Sequence, residues 1–123
     1  MARAWRIMVA GVLLAGCVDE FDTAGESFGP EVTNECDQPV IVGIGASLAS
    51  AERDIRELPI TMQSGWRSRI EFVVQREVVP ERVFLLVGVD ADGAAMLEFE
   101  TSDIRHDVVE TVFEADCRTL TRK

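Results

Sequence analysis

The sequence predicts an all-β fold, an antiparallel β-sandwich. Short apolar alternations of period two recur at intervals of roughly ten residues, turn residues separate them, and helical periodicity is nearly missing. Residues 39–46 place Val40, Val42 and Ile44 on one strand face. Residues 69–74 alternate Ile70, Phe72 and Val74 against Glu71 and Val73. Residues 82–89 align Val83, Leu85, Val87 and Val89, with Phe84 and Leu86 opposite. Apolar side chains on both faces mark a central strand.

Asp90-Ala91-Asp92-Gly93 reads as a hairpin turn, because Asp-Gly supplies a position of positive φ. Residues 94–101 return from it, with Met96 or Leu97 and Phe99 facing inward. A final strand over residues 106–117 sets Val109, Thr111, Phe113, Ala115 and Cys117 on one side. Glu110, Glu114 and Asp116 mark its other side as solvent. Only residues 48–58 hint at a helix, with Ser50-Ala51-Glu52-Arg53 as a capped turn that Pro59 ends quickly. Gly43-Ile44-Gly45-Ala46-Ser47 lacks the third glycine, the lysine and the long following helix of a phosphate loop. Its glycines read instead as strand positions that admit a bulge or a close approach.

At 123 residues the chain has room for one folded domain. Its net charge is -10, from 22 acidic and 12 basic residues. Such a surface repels phosphate backbones, so nucleic acid is not expected as a partner. An apolar content of 47% in strand-like runs argues against disorder despite the acidity.

The first 17 residues are laid out as a secretory leader: Arg3 and Arg6, then the apolar run Ile7-Met8-Val9-Ala10-Gly11-Val12-Leu13-Leu14, then Ala15-Gly16-Cys17. The apolar run has about half the roughly twenty residues that a spanning helix needs. Asp19, Glu20 and Asp22 prevent its extension. Leu14-Ala15-Gly16-Cys17 resembles the bacterial lipobox. The resemblance implies a diacylglyceryl group on Cys17, cleavage between Gly16 and Cys17, and a domain anchored outside the cytoplasm. The expected location is the cell membrane, or the outer membrane in a diderm host because Val18 is not aspartate. The expected organisation is a helical leader over residues 1–16, removed on maturation, a lipidated acidic tether over 17–30, and a β-sandwich domain over 31–123. Loss of Arg3 and Arg6 with the leader leaves 10 basic residues against the same 22 acidic ones.

With lipid on Cys17, an even pair remains, Cys36 and Cys117, in an oxidising compartment. The expectation is a disulfide closing a loop of about 80 residues, worth roughly 4–5 kcal/mol in the chain-entropy model. A single histidine and the lack of a close Cys-x-x-Cys spacing argue against a metal or redox pair.

The run Val32-Thr33-Asn34-Glu35-Cys36-Asp37-Gln38-Pro39-Val40-Ile41-Val42 resembles the opening strand of small secreted β-sandwich proteins of unassigned activity. That resemblance implies an immunoglobulin-like or cupredoxin-like sandwich. It does not imply copper, since cupredoxins use two histidines and this chain has one.

Three further groupings have chemical character. Asp90, Asp92, Gly93 and Glu98 resemble part of a calcium loop, but the glycine comes too early and the flanks read as strands. His106 stands among Asp103, Arg105 and Asp107 without a nucleophile to serve. Trp66 beside Arg67 and Arg69 has the composition of an interface hot spot, and equally of a tryptophan that caps the core beside arginines balancing nearby acids.

The functional expectation is a lipid-anchored envelope domain with a binding or structural role, without cofactor or metal, joined to the membrane through Cys17 and open to an unidentified protein partner. An accessory subunit of an envelope enzyme or transporter is the alternative. A hydrolase that works through two facing carboxylates is the other, although no catalytic set is legible.

Overall fold

The computed structural model of the chain describes residues 25–123. The leader, the cleavage site at Gly16 and Cys17, and most of the expected tether lie outside the described residues. The strands are β1 (Gly25–Phe28), β2 (Glu31–Asn34), β3 (Val40–Gly45), β4 (Ile60–Met62), β5 (Arg67–Arg69), β6 (Phe72–Gln75), β7 (Arg82–Gly88), β8 (Ala95–Glu100), β9 (Glu110–Phe113) and β10 (Leu120–Arg122). Helix α1 (Leu48–Glu57) lies between β3 and β4, and the single-turn helix α2 (Thr101–Ile104) follows β8. The chain is β-rich, with its strands in three sheets ordered β10-β9-β2-β5, β1-β6 and β4-β3-β7-β8.

Two features depart from an all-β antiparallel fold. Strands β2 and β9 run parallel, with Glu31 opposite Glu110 and Asn34 opposite Phe113. Helix α1 is a full ten-residue helix rather than a brief capped turn. Its cap is Ser47, not Ser50: the Ser47 hydroxyl accepts from the Ser50 amide at 3.1 Å, while the Ser50 hydroxyl accepts from the Ser47 amide at 3.0 Å. The helix buries Ala51 and Ile55 against Leu86, with Ile41 and Phe84 beside them. Asp54 Oδ2 accepts from the Ile44 amide at 2.9 Å and ties the helix to the end of β3.

The alternation in β3 and β7 divides their side chains between two layers. Val40, Val42, Ile44, Val83, Leu85 and Val87 enter the main core with Phe28, Val32, Ile70, Phe99 and Phe113. Phe84 and Leu86 face α1, which is why β7 is apolar on both sides. A Cβ on Gly43 would stand 2.6 Å from Ile55 Cβ, and one on Gly45 would stand 2.5 Å from the Ala51 amide nitrogen. These glycines admit the close approach of a helix.

The folded body begins earlier than expected. β1 comes from the segment read as tether, and Phe28 is fully buried. β1 pairs with β6 from Gly25 opposite Gln75 to Phe28 opposite Phe72. β2 pairs with β5 in the same register, Glu31 opposite Arg69 and Thr33 opposite Arg67. The two pairs form one antiparallel ribbon bent at Gly29 and Pro30, where the Ile70 amide still donates to the Pro30 carbonyl at 2.8 Å. Gly29 permits the bend, since a Cβ there would meet the Ile70 carbonyl oxygen at 1.8 Å. Acidic composition concealed the strand because its one large apolar anchor is Phe28.

The bend also splits the expected strand over residues 69–74 between β5 and β6, although Ile70 stays buried and Val73 exposed. The last expected strand is interrupted in the same way. It covers only Glu110–Phe113 before Cys117, at φ 61°, turns the chain back into β10. In β8, Leu97 and Phe99 pack on the core while Met96 is exposed. The loop between β7 and β8 needs no glycine of positive φ; the Asp90 carboxylate caps it by accepting from the Gly93 amide at 2.9 Å.

Replacing Gly43 by alanine is expected to lower stability by about 1–3 kcal/mol, because a packed helix must lift to admit the methyl group. Gly93→Ala is the control, since the nearest atom to its added Cβ is Asp90 Oδ1 at 3.6 Å, and it is expected to stay within about 0.5 kcal/mol of the parent in urea denaturation.

Candidate functional site

Cys36 and Cys117 stand at disulfide-bonding distance, with Cα atoms 4.9 Å apart across a separation of 81 residues. Cys36 is fully buried at the exit of β2, and Cys117 sits in the β9–β10 turn. Asp116 builds that turn by accepting from the amides of Arg118 and Thr119, each at 2.9 Å, and from the Thr119 hydroxyl. These three donors hold the Asp116 carboxyl below its ordinary range, the Thr119 hydroxyl contributing most. Cys36, Asp37 and Cys117 bring their donor atoms within 4.8 Å of one another. With the two sulfurs bonded to each other, no thiolate is available to a metal, and the grouping is a staple with a carboxylate at its rim.

Sequence reasoning noticed Asn34 only as part of a motif. Its side chain is fully buried and makes three hydrogen bonds, to the loop that follows β2 and to β4. Oδ1 accepts from the Cys36 amide at 2.9 Å, and Nδ2 donates to the Gln38 and Met62 carbonyls at 2.9 and 3.2 Å. The Asn34 carboxamide thus links β2, the loop carrying Cys36, and β4 in the other large sheet. A buried asparagine beside a cysteine in a strand-like run was the available signal.

Trp66, Arg67 and Arg69 are brought together at the free edge of the sheet β10-β9-β2-β5. Gly65, at φ 83°, forms a bulge opposite Asn34: its amide donates to the Asn34 carbonyl at 2.8 Å, and the Asn34 amide donates to the Trp66 carbonyl at 2.9 Å. At this bulge Trp66 is 54% exposed and does not cap the core. Among the described residues, neither Arg67 nor Arg69 is ion-paired, although Glu31 stands opposite Arg69 across the ladder.

Two hollows flank the core. A groove of about 350 Å³ lies beside α1, floored by Ile44 and Phe72, with Arg53, Asp54 and Glu57 along the helix. A cleft of about 370 Å³ is bordered by Pro80, Arg82, Glu100, Thr101 and Arg105. The Thr101 hydroxyl is buried there without a hydrogen-bond partner among the described residues. Arg105 donates from Nε and one terminal nitrogen to Glu26, at 2.6 and 2.8 Å. This two-point contact lowers the Glu26 pKa, against a smaller desolvation effect, and raises that of Arg105. Arg82 bonds Glu98 from across the β7–β8 ladder, which raises its pKa. His106 is exposed and makes no hydrogen bond among the described residues. Asp92, once a possible calcium ligand, instead pairs with Arg56 at 2.8 Å.

The Glu26–Arg105 contact carries a pH signature. A depressed carboxyl pKa contributes stability above the unfolded glutamate value, about 4.3, and that contribution is lost as pH falls through the lower folded value. Glu26→Gln is expected to flatten the fall in stability below about pH 4.5, measured by acid titration of the unfolding midpoint.

No family model, curated protein or solved structure matches this chain.

Proposed function

We propose that this chain is a lipid-anchored binding module of the cell envelope, carried by Cys17 outside the cytoplasm. The observation that carries this reading is the staple between Cys36 and Cys117. It accounts for two of three cysteines as a bond suited to an oxidising compartment, and leaves Cys17 as the odd thiol at the end of a lipobox-like leader. A second acyl chain beyond the first would convert marginal membrane binding into stable anchoring. No helix among the described residues is long and apolar enough to cross a membrane.

The body is read as an immunoglobulin-like or cupredoxin-like sandwich. Support comes from the two four-stranded sheets, which contribute to one core and are joined by Asn34 across β2 and β4. A binding role, rather than a purely structural one, is favoured by the exposed Trp66 and by the two arginines of the β5 edge, which form no ion pair among the described residues. The same patch makes membership of a larger envelope assembly the second reading.

Mass spectrometry of the native protein with and without reduction tests the proposal. The expected result is a chain beginning at Cys17 with acyl mass attached, which gains two hydrogens on reduction. Cys17→Ser is expected to leave the leader uncleaved and to release the protein from lipid attachment. Processing and membrane partitioning like those of the parent would reject the lipid anchor. Replacing both Cys36 and Cys117 by serine is expected to lower stability by about 2–5 kcal/mol without changing processing.

A further inference from the structure

We propose that the free edge of β5 is a strand-addition site for an extended acidic segment of a partner protein, one with carboxylates at alternate positions. The inference rests on the reading of this domain as a binding module and is independent of the lipid on Cys17.

Antiparallel strands alternate between residues that bond to one neighbour and residues whose amide and carbonyl point the other way. On the inner side, β2 is bonded at Trp66 and Ile70: the Asn34 amide meets the Trp66 carbonyl, and the Ile70 amide meets the Pro30 carbonyl. By the same alternation Ser68 also bonds inward, and Arg67 and Arg69 present their main-chain groups to the open edge. β5 is the terminal strand of its sheet, so among the described residues no strand pairs with that edge. The Ser68 hydroxyl approaches the Arg69 carbonyl at 3.4 Å, which leaves that oxygen a second lone pair.

The same two residues set the charge. Their side chains lie on the outer sheet face, roughly 6.8 Å apart along the strand, and both are exposed. An incoming strand bonded to Arg67 and Arg69 places its own side chains directly across from theirs, where opposite charges stabilise and like charges destabilise. Two carboxylates at positions i and i+2 fit this spacing. Trp66, at the bulge, offers an aromatic surface for an apolar residue at one end. A second copy of β5 is a poor occupant, because arginine would face arginine.

The domain as a whole is acidic, yet its field is screened beyond about 8 Å at physiological salt, so the local arginines decide the contact. Glu31, across the ladder from Arg69, is the acid nearest in register and competes for it. The alternative role of the arginines is to guard the edge against pairing, and the experiment separates the two.

The test uses the full chain carrying Trp5→Phe, so that Trp66 is the sole tryptophan. The probes are three synthetic eight-residue peptides of valine and threonine: one with two glutamates at alternate positions, one with the glutamates adjacent, and one with lysines at the alternate positions. The alternate-glutamate peptide is expected to shift Trp66 fluorescence, to bind at least about tenfold tighter than either other peptide, and to slow hydrogen exchange at the Arg67 and Arg69 amides. Arg67→Glu with Arg69→Glu is expected to lose that binding and to gain binding of the lysine peptide. Arg69→Pro, which removes an outward amide that no strand uses, is expected to abolish binding while circular dichroism keeps the β signature. Equal affinity for the glutamate and lysine peptides, equal affinity for the alternate and adjacent arrangements, or unchanged exchange at Arg67 and Arg69 would overturn the proposal. Membrane attachment through Cys17 is read separately, so its failure and this one are distinguishable.

Discussion

The structure depends most on a small polar knot where β2 ends. The Asn34 side chain accepts from the buried Cys36 amide and donates to the Met62 and Gln38 carbonyls, and a buried polar group left alone costs about 1–3 kcal/mol. Next to it the disulfide joins the exit of β2 to the β9–β10 turn, and the Ser64 hydroxyl donates to the Cys36 carbonyl at 2.7 Å. Three segments distant in sequence, residues 34–38, 62–64 and Cys117, therefore meet at one point through directional bonds. The apolar core supplies most of the driving force, but it does not by itself dictate which sheet edge lies where.

Around this knot the two large sheets take different roles. The β4-β3-β7-β8 sheet has one face on the core and, over β3 and β7, its other face under α1, with glycines where the helix comes closest. The β10-β9-β2-β5 sheet keeps one face toward solvent, and its terminal strand is three residues long. A short, charged, twisted edge resists indiscriminate pairing. That same property makes it selective if a partner of matching charge is available.

Much of the strand content was legible because it follows from period-two burial. Val40, Val42 and Ile44 in β3, and Val83, Leu85 and Val87 in β7, face the core as their spacing requires. The central position of β7 also followed from its two apolar faces. The cysteine count pointed to the pair that the structure joins. What sequence left hidden has specific causes. Helix α1 buries only Ala51 and Ile55, a short apolar signal, and sits close to β3 where Gly43 and Gly45 leave room. β1 is masked by glutamate and glycine, and its burial rests on Phe28 alone. The parallel pairing of β2 with β9 joins residues nearly eighty positions apart, beyond the reach of any local pattern. The β5 edge was visible as a composition, Trp66 with Arg67 and Arg69, but its orientation depends on the Gly65 bulge and on register with β2.

The parallel β2–β9 pair has a consequence for how the chain acquires its shape. Strand β2 lies near the beginning of the described body, yet its neighbour β9 leaves a ribosome or a translocation channel only after the intervening strands have emerged. A sheet that waits for residues 110–113 has high contact order, and such topologies close slowly. Until then the Cys36 thiol has no partner and one side of β2 is bare, an intermediate exposed to mispairing with other chains. Residues 110–113 thus complete this sheet, and their loss would leave β2 paired on its β5 side alone.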